Sequence, residues 1–177
     1  MVSRRYRWIA AFLMLLIPML TEAGEERLLA PDISTKQWLN SRPLSMQELR
    51  GKVVLVEFWT FGCWNCKNVE PYIKQWHKKY QSKGLVVIGV HTPEFAYEHK
   101  LDNLRNYLDE HDIHYPVAVD NDAKIWHAFR NWAWPTVYLV GKQGEIRYKR
   151  IGEGGYRETE ATIRKLLSEK GPAPQAM

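Results

Sequence analysis

The chain has 177 residues, 45% of them hydrophobic and 25% charged, proportions ordinary for a globular protein. They exclude a collagen, a low-complexity chain and a disordered acidic tail, and the length predicts one domain. The formal charge of +5 comes from 25 Lys and Arg against 20 Asp and Glu; setting aside residues 1–23, which hold Arg4, Arg5 and Arg7 against Glu22, leaves 22 against 19. So thin an excess, spread along the chain, gives no footprint for nucleic acid. Two cysteines are too few for a disulfide framework.

The N-terminus reads as an address. Arg4, Arg5 and Arg7 precede a 13-residue apolar run, Trp8 to Leu20, and Thr21-Glu22-Ala23 offers a small residue for cleavage. This is the layout of a secretory signal peptide over residues 1–23. The run falls short of the ~20 apolar residues of a spanning helix, and an uncleaved N-terminal anchor is the alternative. Export to a periplasmic or other extracytoplasmic space implies an oxidising compartment, where a cysteine pair can cycle or lock. Residues 24–170 then form the domain, and 171–177 read as a disordered tail.

The predicted elements alternate. Leu44 to Leu49 reads as a short helix. Val53 to Trp59 is a nearly continuous apolar run between glycines, as expected of a strand buried on both faces. A helix over about 64–81 follows, with Val69, Tyr72 or Ile73, Trp76 and Tyr80 at helical spacing and Pro71 as a kink. Leu85 to Val90 is the next strand; Leu101, Leu104 and Leu108 mark a helix from Glu98 to His111; Pro116 to Val119 is a short strand. Ile125, Trp126 and Phe129 face inward from a short helix. Thr136 to Val140 and Glu145 to Lys149 form a hairpin around Gly144, and a last helix spans about 157–169. Alternating strands and helices indicate an α/β fold with a largely parallel sheet, and the hairpin adds an antiparallel edge.

Cys63-Trp64-Asn65-Cys66 falls at the junction of the first buried strand and the first long helix, a placement far more specific than the spacing alone. Positions i and i+3 share a helix face about 5 Å apart, within the Cα separation a disulfide tolerates. Cys63 at the helix N-terminus gains thiolate character from unpaired N–H groups and the helix dipole, which makes it the nucleophile and Cys66 the resolving thiol. An inert disulfide and a metal site that recruits His91 are the competing readings. Glu57 interrupts the apolar strand; burial would raise its pKa and suit it to accept the Cys66 proton, whereas a solvated, ion-paired Glu is the bland alternative. Trp134 and Pro135 precede the hairpin strand. Trp38, Trp76 and Trp126 read as core, Trp59, Trp64 and Trp134 as neighbours of the site, and His77, His99, His111 and His114 as solvated.

The segment Val56-Glu-Phe-Trp-Thr-Phe-Gly-Cys-Trp-Asn-Cys-Lys67 resembles the strand and active-site signature of the thioredoxin superfamily. Pro71 matches its helix-kinking proline, Trp134-Pro135-Thr136 its cis-proline loop, and Glu57 stands where thioredoxins carry a buried Asp. The likeness spans roughly residues 28–169. Leu49-Arg-Gly-Lys52 and the strand–helix unit at 85–112 are similar to the exported TlpA/ResA-like branch. Gly89 to Phe95 and Tyr115 to Asn121 are similar to the soluble thioredoxin-like domain of DipZ-type proteins.

The resemblance implies a thioredoxin fold: a central mixed sheet flanked by helices, with an added strand–helix unit after the first long helix. It implies a cis Pro135, Cys63 and Cys66 as the catalytic pair assisted by Glu57, and Trp64, Asn65, Trp134 and Pro135 around the substrate. It further implies thiol–disulfide exchange with exported proteins, apocytochrome c among them. A separate membrane electron carrier would recharge the pair, with no cofactor, no resident metal, no nucleic acid and a monomeric state. Trp64-Asn65 departs from thioredoxin's Gly-Pro dipeptide, which bears on the redox potential. Thr60-x-x-Cys63 also resembles a peroxiredoxin site, but the proline that family wants seven residues before the cysteine is Val56.

Overall fold

The computed structural model describes residues 28–171. The signal-peptide reading of residues 1–23, and all but the first residue of the tail at 171–177, lie outside the described residues.

Strand β2 (Val53–Trp59) is buried along its whole length. Its alternating side chains feed two cores. Val53, Leu55 and Trp59 join Cys66, Val69, Ile73, Trp76 and Tyr80 of helix α1 (Trp64–Tyr80). Val54, Val56 and Phe58 join Ile125, Trp126 and Phe129 on the other face. Each such side chain stabilises the fold by roughly 1.5–3 kcal/mol when fully buried. Parity therefore puts Glu57, between Leu55 and Trp59, on the face that α1 covers.

The remaining elements are β1 (Trp38–Leu39), β3 (Leu85–His91), α2 (Leu101–Glu110), β4 (Val117–Val119), α3 (Lys124–Ala128), β5 (Thr136–Val140), β6 (Ile146–Ile151) and α4 (Tyr156–Ser168), with 3-10 turns at Gln81–Lys83 and Ala96–His99. They build one mixed six-stranded sheet in the order β1-β4-β3-β2-β5-β6. β2 pairs in parallel with β3, and β3 with β4; β5 runs antiparallel to β2, β6 to β5 and β1 to β4. The unit β3–α2 is the expected addition after the first long helix, and it widens the sheet on the side of β2 opposite the hairpin. Among the described residues, no helix is long and apolar enough to cross a membrane.

Three local expectations change. Leu44 to Leu49 forms no helix; hydrogen-bonded turns span 46–50, and Gly51 at φ +87° takes the chain out of any helical path. The helix expected from Glu98 begins at Leu101, because Glu98 is spent on a separate 3-10 turn. The two-residue strand β1 was not expected at all.

Candidate active site

Cys63 is the N-cap of α1, in extended backbone conformation, and its Sγ accepts the Cys66 N–H at 3.2 Å. The sulfur thus occupies the place a capping oxygen normally takes, at the positive end of the helix. Cys63 and Cys66 are joined in a disulfide with Cα atoms 5.3 Å apart. Cys66 is buried in the core, Cys63 is half-buried, and Trp64 between them is 75% exposed. One sulfur can meet a visitor while the other stays beneath. Asn65 is exposed as well.

Glu57 is 2% exposed, paired through the sheet with Gly89 and Val137. Burial, helped by the charge of Glu70, pushes its carboxyl up to about 8, against a partial offset by a hydrogen bond from Tyr115 at 3.4 Å. The bland reading of a solvated Glu57 therefore fails. Glu70, one turn beyond Cys66, is a second buried carboxylate. It accepts from Tyr107 Oη at 2.8 Å and meets His111 Nδ1 at 3.2 Å and Lys74 Nζ at 3.4 Å.

The loop from Thr60 to Gly62 carries the chain from β2 to Cys63. Phe61 stacks on His91 and on Tyr107, with ring centroids 5.4 and 5.5 Å apart, and Tyr97 lies at 5.6 Å. His91 is fully buried, which pushes its imidazole down to about 4, and its Nε2 meets Thr60 Oγ1 at 3.3 Å. It sits under the loop as a neutral ring. Among the described residues, no three His, Cys, Asp or Glu side chains are placed to hold a metal. Thr60 is buried with its hydroxyl turned to His91 and Glu98; the peroxiredoxin-like reading has no free threonine hydroxyl.

On the far side, the Trp134–Pro135 peptide is cis. Phe58 pairs with Thr136, so the register brings Pro135 to the end of β2 that leads to Cys63. Pro135 is buried, Trp134 is half-buried, and its ring lies 4.3 Å from that of Trp126. Trp59 is buried against His91 and Tyr107, beneath the site rather than lining it. His77 and His111 are half-buried, not solvated; His99 and His114 are exposed. The sequence reading missed Glu98, Glu70, Tyr107 and Tyr115.

The model of the AhpC/TSA family matches residues 28–149. The chain belongs to that family. DipZ of Mycobacterium bovis is 41% identical over 147 residues, which cover 81% of this chain and 21% of DipZ. The chain thus spans about a fifth of the length of that relative. The thiol-disulfide oxidoreductase YkuV of Bacillus subtilis is 31% identical over 134 residues, covering 76% of this chain and 90% of YkuV. A crystal structure of a thioredoxin-like superfamily protein superposes with a TM-score of 0.77 at 27% identity, covering 82% of this chain and 99% of that one. A thiol-disulfide isomerase from Corynebacterium glutamicum gives 0.70 at 28% identity, covering 80% and 98%. The fold is thioredoxin-like, as the sequence implied.

Proposed function

We propose that this protein is a thiol–disulfide oxidoreductase working in the reducing direction on exported proteins. The observation that carries the reading is the closed Cys63–Cys66 pair at the N-terminus of α1, one sulfur half-exposed and the other buried. Cys63 thiolate attacks a substrate disulfide; the S–S bond breaks and one substrate sulfur leaves as thiolate. Cys66 gives its proton to Glu57, whose raised pKa of about 8 stands close to that of an ordinary thiol, near 8.5. The Cys66 thiolate then attacks Cys63 Sγ, the second substrate thiolate leaves, and the pair is closed, two electrons having passed to the substrate. Trp64, Asn65, Trp134 and Pro135 supply the surface on which the substrate backbone lies.

The leader pattern in residues 1–23 supports a working place outside the cytoplasm, with a membrane dithiol carrier returning the electrons. Apocytochrome c is one substrate of the right chemistry, and the protein acts as a monomer. Equilibration of the pair with glutathione tests the direction. A potential near −270 mV is expected, the range of a reductase, and one near −120 mV, the range of an oxidant, would reverse it.

A further inference from the structure

Glu98 belongs to none of the machinery described so far, yet it is 1% exposed. Both carboxylate oxygens are engaged. Oε1 accepts the N–H of Gly62, the residue before Cys63, at 2.7 Å. Oε2 accepts the N–H groups of Glu94 at 2.7 Å and Phe95 at 2.8 Å. Thr60 adds its hydroxyl. The carboxylate thus bolts the segment after β3 to the loop that delivers the attacking cysteine. Gly62 has the room this needs: a Cβ there would meet Glu98 Oε1 and Tyr97 Oη, each at 2.5 Å.

Only an ionised acid fits the clasp. A carboxylate is acceptor-only at both oxygens, whereas an amide would turn N–H groups toward backbone donors on one side. Burial alone would raise its pKa, but the hydrogen bonds from Thr60, Phe95, Glu94 and Gly62 outweigh burial and leave it lowered. The charge is not neutralised: no Lys or Arg pairs with it among the described residues, and His91 beside it is uncharged. Other titratable groups close to the loop are Tyr97 and Tyr107, whose rings lie against Phe61, His99, whose charge acts on His91, and Glu70, bonded to Tyr107. Glu153, bonded to Asn68 at 2.8 Å, faces the start of α1 from the β6–α4 loop.

We propose that Glu98 is a positioning residue that fixes the Cys63 loop and sets the electron-giving character of the pair through a permanent negative charge beside it. The sign follows from electrostatics. A nearby anion disfavours the thiolate and so disfavours the open dithiol form; a pair whose reduced form is less stable gives its electrons away more readily. Glu98 opposes the helix N-terminus, which favours the thiolate, and the balance keeps the protein a reductant. This inference rests on the reading of Cys63 as the attacking sulfur.

The test uses the reduced full-length protein and its Glu98→Gln variant. Iodoacetamide alkylation rates across pH give the pKa of the exposed thiol, and glutathione buffers give the dithiol–disulfide equilibrium. Loss of the charge is expected to lower the thiol pKa by about one unit and to shift the equilibrium toward the dithiol by about tenfold. A merely structural Glu98 would lower thermal stability and move neither readout, and that result overturns the proposal. Should the variant not fold, Gly62→Ala, which forces the carboxylate off the loop, carries the same measurements and the same expected direction; an unchanged profile overturns the proposal there too. A parent protein whose thiols react no faster than free cysteine would remove the underlying reading, and this inference with it. Parent and variants that react fast and alike remove the Glu98 inference alone.

Discussion

Glu57 shows how a single buried carboxyl links stability to chemistry. Its carboxyl titrates at about 8 in the fold against 4.5 for the ordinary group, with burial the main cause. Between those values the unfolded chain has released a proton that the folded chain keeps, so Glu57 drains stability as pH rises. Its contribution is intact below about 4.5 and is lost by about 8, on the order of 5 kcal/mol in all. His91 gives the opposite slope: with its imidazole pushed down to about 4 by burial, stability is lost as pH falls below 6.5. The difference between the parent and Glu57→Gln isolates the carboxyl. In urea unfolding of the oxidised proteins, the variant is expected to gain on the parent steadily from pH 5 to pH 8; a constant difference would mean that Glu57 is ionised throughout. The same variant, unable to take a proton, is expected to slow substrate release while leaving the first attack by Cys63 intact.

At the level of elements, the site is held by short connections tied down by buried carboxylates. Asp120, buried at the end of β4, accepts the N–H groups of Ile125 and Trp126, both at 2.9 Å, and the Thr92 hydroxyl at 3.0 Å. It thereby sets α3, whose Trp126 supports Trp134. Asp120→Ala strands those two N–H groups and is expected to cost about 2–3 kcal/mol, measured by chemical denaturation, together with a change in the near-ultraviolet signal of the Trp126–Trp134 pair. Such polar clasps are what a sequence conceals. Glu57 was legible because a charge inside an apolar strand breaks its pattern, and the cysteine pair was legible because it sits where a strand meets a helix. Glu98 was not, since its neighbours Glu94, Phe95, Tyr97 and His99 are all exposed and no periodicity marks the one side chain that turns inward. The long elements declared themselves by burial on two faces or one stripe. The strand β1, two residues held by pairing with β4, has no repeat long enough to read.

Among the described residues the sheet has two edges, and both are blunted. β1 is too short to template a partner, and β6 presents Arg147, Lys149 and Ile151 outward, two charges on the exposed side of an edge strand. Sedimentation is expected to show a monomer over a wide concentration range, and Lys149→Val, which removes a central edge charge, to introduce association; a parent that sediments as a stable dimer would refute the monomeric state. The sulfur pair itself draws on three stretches far apart in the chain: Thr60 to Cys66, His91 to Glu98, and the cis bond at Trp134–Pro135. The folded sheet is what brings them together. The helix end at Cys63 is local to α1, whereas the clasp from Glu98 to Gly62 exists only in the folded chain. The setting of the two sulfurs, as distinct from the sulfurs themselves, is in this sense a product of folding.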